Sequence, residues 1–117
     1  MKSLESQLQV ACVRWFRYEF PEYGDLLFSV PNGGKRHIAT ARKLKAEGVV
    51  AGVSDLILLV PNKDYHGLCI EMKWGKGKQT DNQIRFEKHV VDQGYKYIVS
   101  RSFEDFEERV RYYLAVK

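Results

Sequence analysis

The sequence predicts an α/β fold in the order αβαββαβα, with a mixed four-stranded sheet flanked by helices. Three observations predict it. Two short apolar runs, Gly52 to Val60 and Gly67 to Trp74, are separated by a short segment rich in turn formers, as in a hairpin of buried strands. Helical periodicity opens and closes the chain. A capped helical segment then separates the second apolar run from a third at Tyr95 to Ser100, the strand–helix–strand pattern of a parallel pair. The chain has 117 residues, 44% of them apolar, which suits one domain over residues 1–117 with its own core.

Each element has a local cause. Ser3 caps a first helix running to about Phe20, with Leu4, Leu8, Ala11, Cys12 and Trp15 as its apolar stripe. Pro21 to Gly24 ends it, and Leu26 to Val30 reads as a strand. Pro31 to Gly34 is a turn or loop. A second helix fits Ile38 to Glu47, closed by Gly48 beyond its C-terminus. After the hairpin, Gly75 to Gln79 reads as a flexible basic loop. Thr80 and Gln83 form a capping box for a third helix that ends at Gly94. Ser102 caps a last helix with Phe103, Phe106, Val110 and Tyr113 or Leu114 on its buried stripe.

Charge narrows the function classes. Residues 31–80 carry nine Lys/Arg against four Asp/Glu, while the rest of the chain carries ten against eleven. Such a positive field suits a polyanionic partner. No apolar run is long enough to span a membrane, and the first residues lack the apolar core of a signal peptide. Cys12 and Cys69 are expected to be reduced, buried and far from any zinc spacing. A cytoplasmic protein is expected, in the cytoplasm of a bacterial host if the chain is viral.

The chemistry concentrates at the strand ends. Side chains alternate along a strand, so Glu71 and Lys73 share a face with Cys69, while Ile70, Met72 and Trp74 take the other. With Val60 opposite Leu68, Asp55 faces Lys73; in a register two residues away, Asp55 faces Glu71. Both registers put Asp55, Glu71 and Lys73 on one face. Two carboxylates this close repel unless something positive lies between them. Mg²⁺ takes oxygen ligands, so Asp55, Glu71 and a nearby backbone carbonyl could hold it. Lys73 would orient or deprotonate an attacking water, or bind developing negative charge. The plain alternative is a structural ion-pair cluster at a sheet edge.

These residues resemble a known family. Gly52-Val53-Ser54-Asp55, Glu71-Met72-Lys73 and Thr80-Asp81-Asn82-Gln83 resemble the PD-(D/E)xK nuclease superfamily and, within it, the virus-type replication-repair nuclease (VRR-NUC) domain. The Pro31 to Gly34 loop, the Leu44 to Gly48 helix end and Gly94-Tyr95 fit the same pattern, so the resemblance runs from Glu5 to about Phe103. Ser54 stands where the first motif is named for proline. The resemblance implies a restriction-endonuclease-like fold and a Mg²⁺-dependent endonuclease, with Mn²⁺ able to substitute and no organic cofactor. It implies Asp55, Glu71 and the Met72 carbonyl as metal ligands, Lys73 as the catalytic lysine, and Gln83 near the site. Glu5 corresponds to a further acidic position for a second metal. Stand-alone members are similar to Holliday junction resolvases and act as homodimers, whereas members fused to larger repair proteins act on flaps. With no fused domain in this chain, branched DNA and a homodimer are expected, with 5′-phosphate and 3′-hydroxyl products.

Other residues have bland readings beside sharp ones. Gln83 can be explained by capping alone, and Glu5 by the helix dipole. Asn32, Gly33, Lys35, Arg36, Arg42, Lys76 and Lys78 are candidate DNA contacts, or simply a turn and solvated faces. Trp15, Phe16, Phe86, Phe103 and Phe106 fit core stripes, and Trp74 is better read as packing than as base stacking. His37 could bind phosphate but reads better as an ordinary loop residue, and His66 and His89 read as ordinary polar residues. Tyr112 and Tyr113 could form part of a dimer surface. The competing functions are a flap, nick, repair or restriction-like nuclease with the same chemistry, a non-catalytic nucleic-acid-binding module, and a metal-regulated interaction protein.

Overall fold

A computed structural model describes residues 3–31 and 38–117. Helix α1 spans Leu4–Glu19, with the Ser3 side chain accepting from the Ser6 N–H at 3.0 Å. Pro21 cannot extend that helix, and the chain tightens into a 3₁₀ turn over Pro21–Leu26. The other elements are β1 (Leu27–Ser29), α2 (Ile38–Ala46), β2 (Leu56–Leu58), β3 (Leu68–Met72), α3 (Asp81–Asp92), β4 (Lys96–Ser100) and α4 (Phe103–Ala115). The element order is the expected one, with shorter strands.

The sheet order is β1-β2-β3-β4. β1 with β2 and β2 with β3 are antiparallel, and β3 with β4 is parallel, which makes the sheet mixed. In the hairpin Leu56 pairs with Ile70 and Leu58 with Leu68. This is the second of the two expected registers: one more step places Asp55 opposite Glu71. The loop of the hairpin is set by Asn62, whose Oδ1 accepts from the N–H groups of Asp64 and Tyr65, both at 2.8 Å. Its Nδ2 donates to the Tyr113 carbonyl, tying the loop to α4.

One sheet face carries the core. Leu56, Leu58, Leu68, Ile70, Met72 and Ile98 pack against Leu8, Cys12 and Phe16 of α1 and Phe106, Val110 and Tyr113 of α4. Burying a side chain the size of Phe106 contributes about 1.5–3 kcal/mol. The stripe of α1 is therefore Leu8, Cys12 and Phe16; Leu4 and Ala11 are exposed. Tyr113 is also core rather than dimer surface, because its hydroxyl donates to the Val60 carbonyl at 2.7 Å in a buried bond. Cys12 and Cys69 are both buried and free, and burial pushes the Cys12 thiol up to about 12. The other sheet face, with Glu71 and Tyr97, turns toward α3.

Helix α3 has the expected capping box, and Tyr95 N–H to Val90 carbonyl with Gly94 N–H to Val91 carbonyl closes its far end. Gly94 takes the positive φ that this closure requires. Phe86 of α3 does not join the core, and Trp74, beyond the end of β3, is exposed rather than packed. Among the described side chains of α2 none is buried, and only Leu44 is partly covered. No helix among the described residues is long and apolar enough to cross a membrane.

Candidate functional site

The acidic pair is built by the ends of the hairpin strands. Asp55 lies one residue before β2, where its carbonyl accepts from the Val30 N–H at 3.0 Å and prolongs the β1–β2 ladder. Its side-chain Oδ2 accepts from the Met72 N–H at 2.7 Å. β2 has ended at that level, so the carboxylate takes the place that a strand carbonyl would fill. A strand residue turns its N–H and its C=O to the same edge, so the Met72 carbonyl opens toward Asp55 as well. Ser54 is fully buried and donates to the Leu56 carbonyl at 3.2 Å, which fixes the backbone before the strand.

Glu71 is 2% exposed, and its carboxyl has three polar neighbours. Gln83 Nε2 donates to Oε2 at 2.7 Å. The Lys73 ammonium lies 3.7 Å from the same oxygen. The Tyr97 hydroxyl donates to Oε1 at 3.4 Å. Burial, then the negative charge of Asp55 and hydrogen bonding with its carboxyl, push Glu71 up to about 8, against the pull of Lys73. The charge of Asp55 raises Glu71 and that of Lys73 lowers it, so the ammonium only partly offsets the repulsion between the two carboxyls.

Gln83 answers both of its readings. Its Oε1 accepts from the Thr80 N–H at 2.8 Å while its Nε2 holds Glu71, so one amide caps α3 and orients the carboxyl. Behind it, Gln79 Nε2 donates to Glu87 at 3.0 Å and to the Tyr97 hydroxyl at 3.4 Å. Sequence reading missed this support. The parallel register carries the signal: Cys69 pairs with Tyr97, so Tyr97 shares the face of Glu71.

The remaining candidates are spread more widely. Glu5 lies partly covered in the first turn of α1, with no direct contact to the pair; its charge is the smallest of the influences on Glu71. Lys76 and Lys78 are exposed in the loop just beyond Lys73. That loop is not free, because Arg101 donates to the Gly75 carbonyl at 3.0 Å and to the Gly77 carbonyl at 2.7 Å. Arg42 is exposed on α2. Asn32, Gly33, Lys35 and Arg36 lie outside the described residues, as does His37.

The donor set suits a hard divalent cation that keeps open positions. Among the described residues no group of three His, Cys, Asp or Glu side chains gathers as a metal cage. Two carboxylates and a carbonyl are nonetheless what Mg²⁺ takes from a protein when water and substrate phosphate complete its shell.

The family model of the VRR-NUC domain matches residues 3–104. The chain belongs to the VRR-NUC family. This is a nuclease family, and the fold follows it. A solved structure described as a VRR_NUC domain protein is 26% identical, with a TM-score of 0.84 over 99% of this chain and 93% of that one. No curated protein matches. In this VRR-NUC domain the acidic pair lies on the α3-facing side of the sheet.

Proposed function

We propose that the chain is a metal-dependent, structure-selective DNA endonuclease, resolvase-like in acting on branched DNA. One observation carries the chemistry: Asp55, Glu71 and Lys73 converge at the open end of the hairpin, with the Lys73 ammonium 3.7 Å from Glu71 and Asp55 bonded to the Met72 N–H at 2.7 Å. Asp55, Glu71 and the Met72 carbonyl would hold Mg²⁺ or Mn²⁺, which supplies charge stabilisation and a more acidic water when bound. Lys73, only 12% exposed, stands where it can orient or deprotonate the attacking water or bind charge developing on the phosphate. Gln83 and Tyr97 hold the Glu71 carboxyl in one rotamer, so these groups need no rearrangement as the water attacks. The bond between phosphorus and the 3′-oxygen breaks, leaving 5′-phosphate and 3′-hydroxyl ends. Glu5 is close enough to influence the pair and is a candidate for steadying a second ion. Lys76 and Lys78, flanking the site on a loop braced by Arg101, would bind the substrate backbone, with Arg42 further out.

The junction preference rests on the likeness of stand-alone family members to resolvases, and a homodimer would present two such sites to a symmetric four-way branch. Flaps and nicked duplex are the second reading, with the same residues and chemistry. The test is incubation of labelled junction, flap, nicked and intact duplex DNAs with Mg²⁺ or Mn²⁺, beside Lys73→Ala. Junction cleavage by the wild type, lost in the variant, is expected. Preferential flap cleavage transfers the assignment to the second reading. DNA binding with no cleavage under either metal defeats both.

A further inference from the structure

A groove of about 840 Å³ runs between α2 and α3, beyond the acidic pair. That volume is within the range of ligand clefts, about 300–1,000 Å³. Its walls lead to the site. One wall ends in Ala51, four residues before Asp55, and the other in Asn82, the neighbour of Gln83. Gly52 locks the two together: its φ is +90°, and a Cβ there would strike the backbone of Asn82.

The lining is of two kinds. Leu44, Val49, Val50 and Phe86 give an apolar and aromatic floor, and Val49 and Val50 remain 43% and 56% exposed. Lys45, Arg85 and His89 stand around it, and among the described residues no carboxylate contributes to the lining. Among the described residues none of those three forms an ion pair with an acid. Arg85 donates instead to the neutral Asn82 side chain.

We infer that this groove binds an unpaired stretch of the DNA substrate next to the cleaved phosphate. The inference rests on the nuclease reading and adds to it a contact for unpaired nucleotides, those of a flap or of a branch point whose base pairs have opened. Paired DNA offers mainly phosphates to a protein surface and gains little from a concave apolar floor. Unpaired bases expose their faces, which stack on aromatic and apolar side chains while cations follow the backbone. A second copy of the chain is a poorer occupant, because each copy carries a net charge of +4 and brings it to a cationic groove.

The experiment measures binding of labelled oligothymidylate and of an equally long duplex to the full chain in EDTA, where nothing is cut. Arg85→Glu and Val50→Asp change exposed groove residues, and thermal melting checks that each still folds. Both are expected to weaken oligothymidylate binding about tenfold or more, with duplex binding changed far less. In the cleavage panel with Mg²⁺, both should lose the preference for a splayed strand over intact duplex while still cutting. Equal loss on the two DNAs, or no loss, overturns the groove assignment and leaves the nuclease reading intact. So does a Val50→Asp variant that dissociates a dimer yet binds oligothymidylate normally. Groove-dependent binding with no cleavage under any metal does the reverse.

Discussion

Glu71 is a carboxyl in a buried position that holds its proton up to about pH 8, and this has a measurable consequence. The folded protein binds that proton across a range where the unfolded chain, with the ordinary carboxyl value of 4.5, has released it. The stabilisation is therefore complete below about pH 4.5 and is lost as pH rises through about 8. One proton sets a slope of at most about 1.4 kcal/mol per pH unit in metal-free protein. Urea denaturation in EDTA across this window should show wild-type stability falling relative to Glu71→Gln, which carries no titrating proton at that position. A constant difference between the two would refute the assignment. Lys73→Ala should fold normally and lose about 10²–10⁴-fold in cleavage rate, the usual worth of a positioned acid or base. The strand-end residues were legible because three charges in apolar runs have few explanations. Tyr97 was not, because a tyrosine in a strand is ordinary until the parallel register aligns it with Glu71.

At the scale of elements, the site depends on where strands stop. β2 has three residues, and its early end leaves the Met72 N–H to the Asp55 carboxylate. Sequence pattern left two registers open because both put the same side chains on the same face, and a two-residue shift keeps that parity. The helix boundaries were better marked: Ser3, Thr80 and Ser102 cap as their types require. What patterning could not foresee was that Phe86, on a helical stripe, would line a groove instead of the core; α2 stands apart and leaves that face of α3 uncovered. Thr80→Ala and Gln83→Ala should separate capping from chemistry. Each removes part of the capping box and costs about 1 kcal/mol by thermal or urea unfolding. Only Gln83→Ala also releases Glu71, and it should lower cleavage or metal affinity about 10–100-fold. Gly52→Ala should cost at least about 2 kcal/mol, because the added carbon meets the Asn82 backbone and the positive φ is strained. An unchanged melting temperature would show that the two walls are not locked there.

Over the whole molecule, charge and symmetry decide what can be bound. The basic segment of the sequence contains the acidic pair, so a divalent cation held there would add to its positive charge and favour a polyanionic partner. Tyr112 on α4 is 73% exposed and Tyr18 on α1 is 86% exposed, on two helices that pack together. If the homodimer of the proposed reading uses this face, light scattering should give twice the 13.6 kDa of the chain, and Tyr112→Glu should return it to one copy. A dimer that survives Tyr112→Glu places the contact elsewhere. The central claim is that residues 55 and 71 share one divalent ion. Calorimetric titration of the full chain with Mn²⁺ at pH 7, in two buffers of different ionisation enthalpy, tests it most directly. The account predicts saturable binding with release of about one proton, from the carboxyl raised to about 8, and loss of binding in Asp55→Asn. Binding without proton release, or equal affinity in Asp55→Asn, would contradict it.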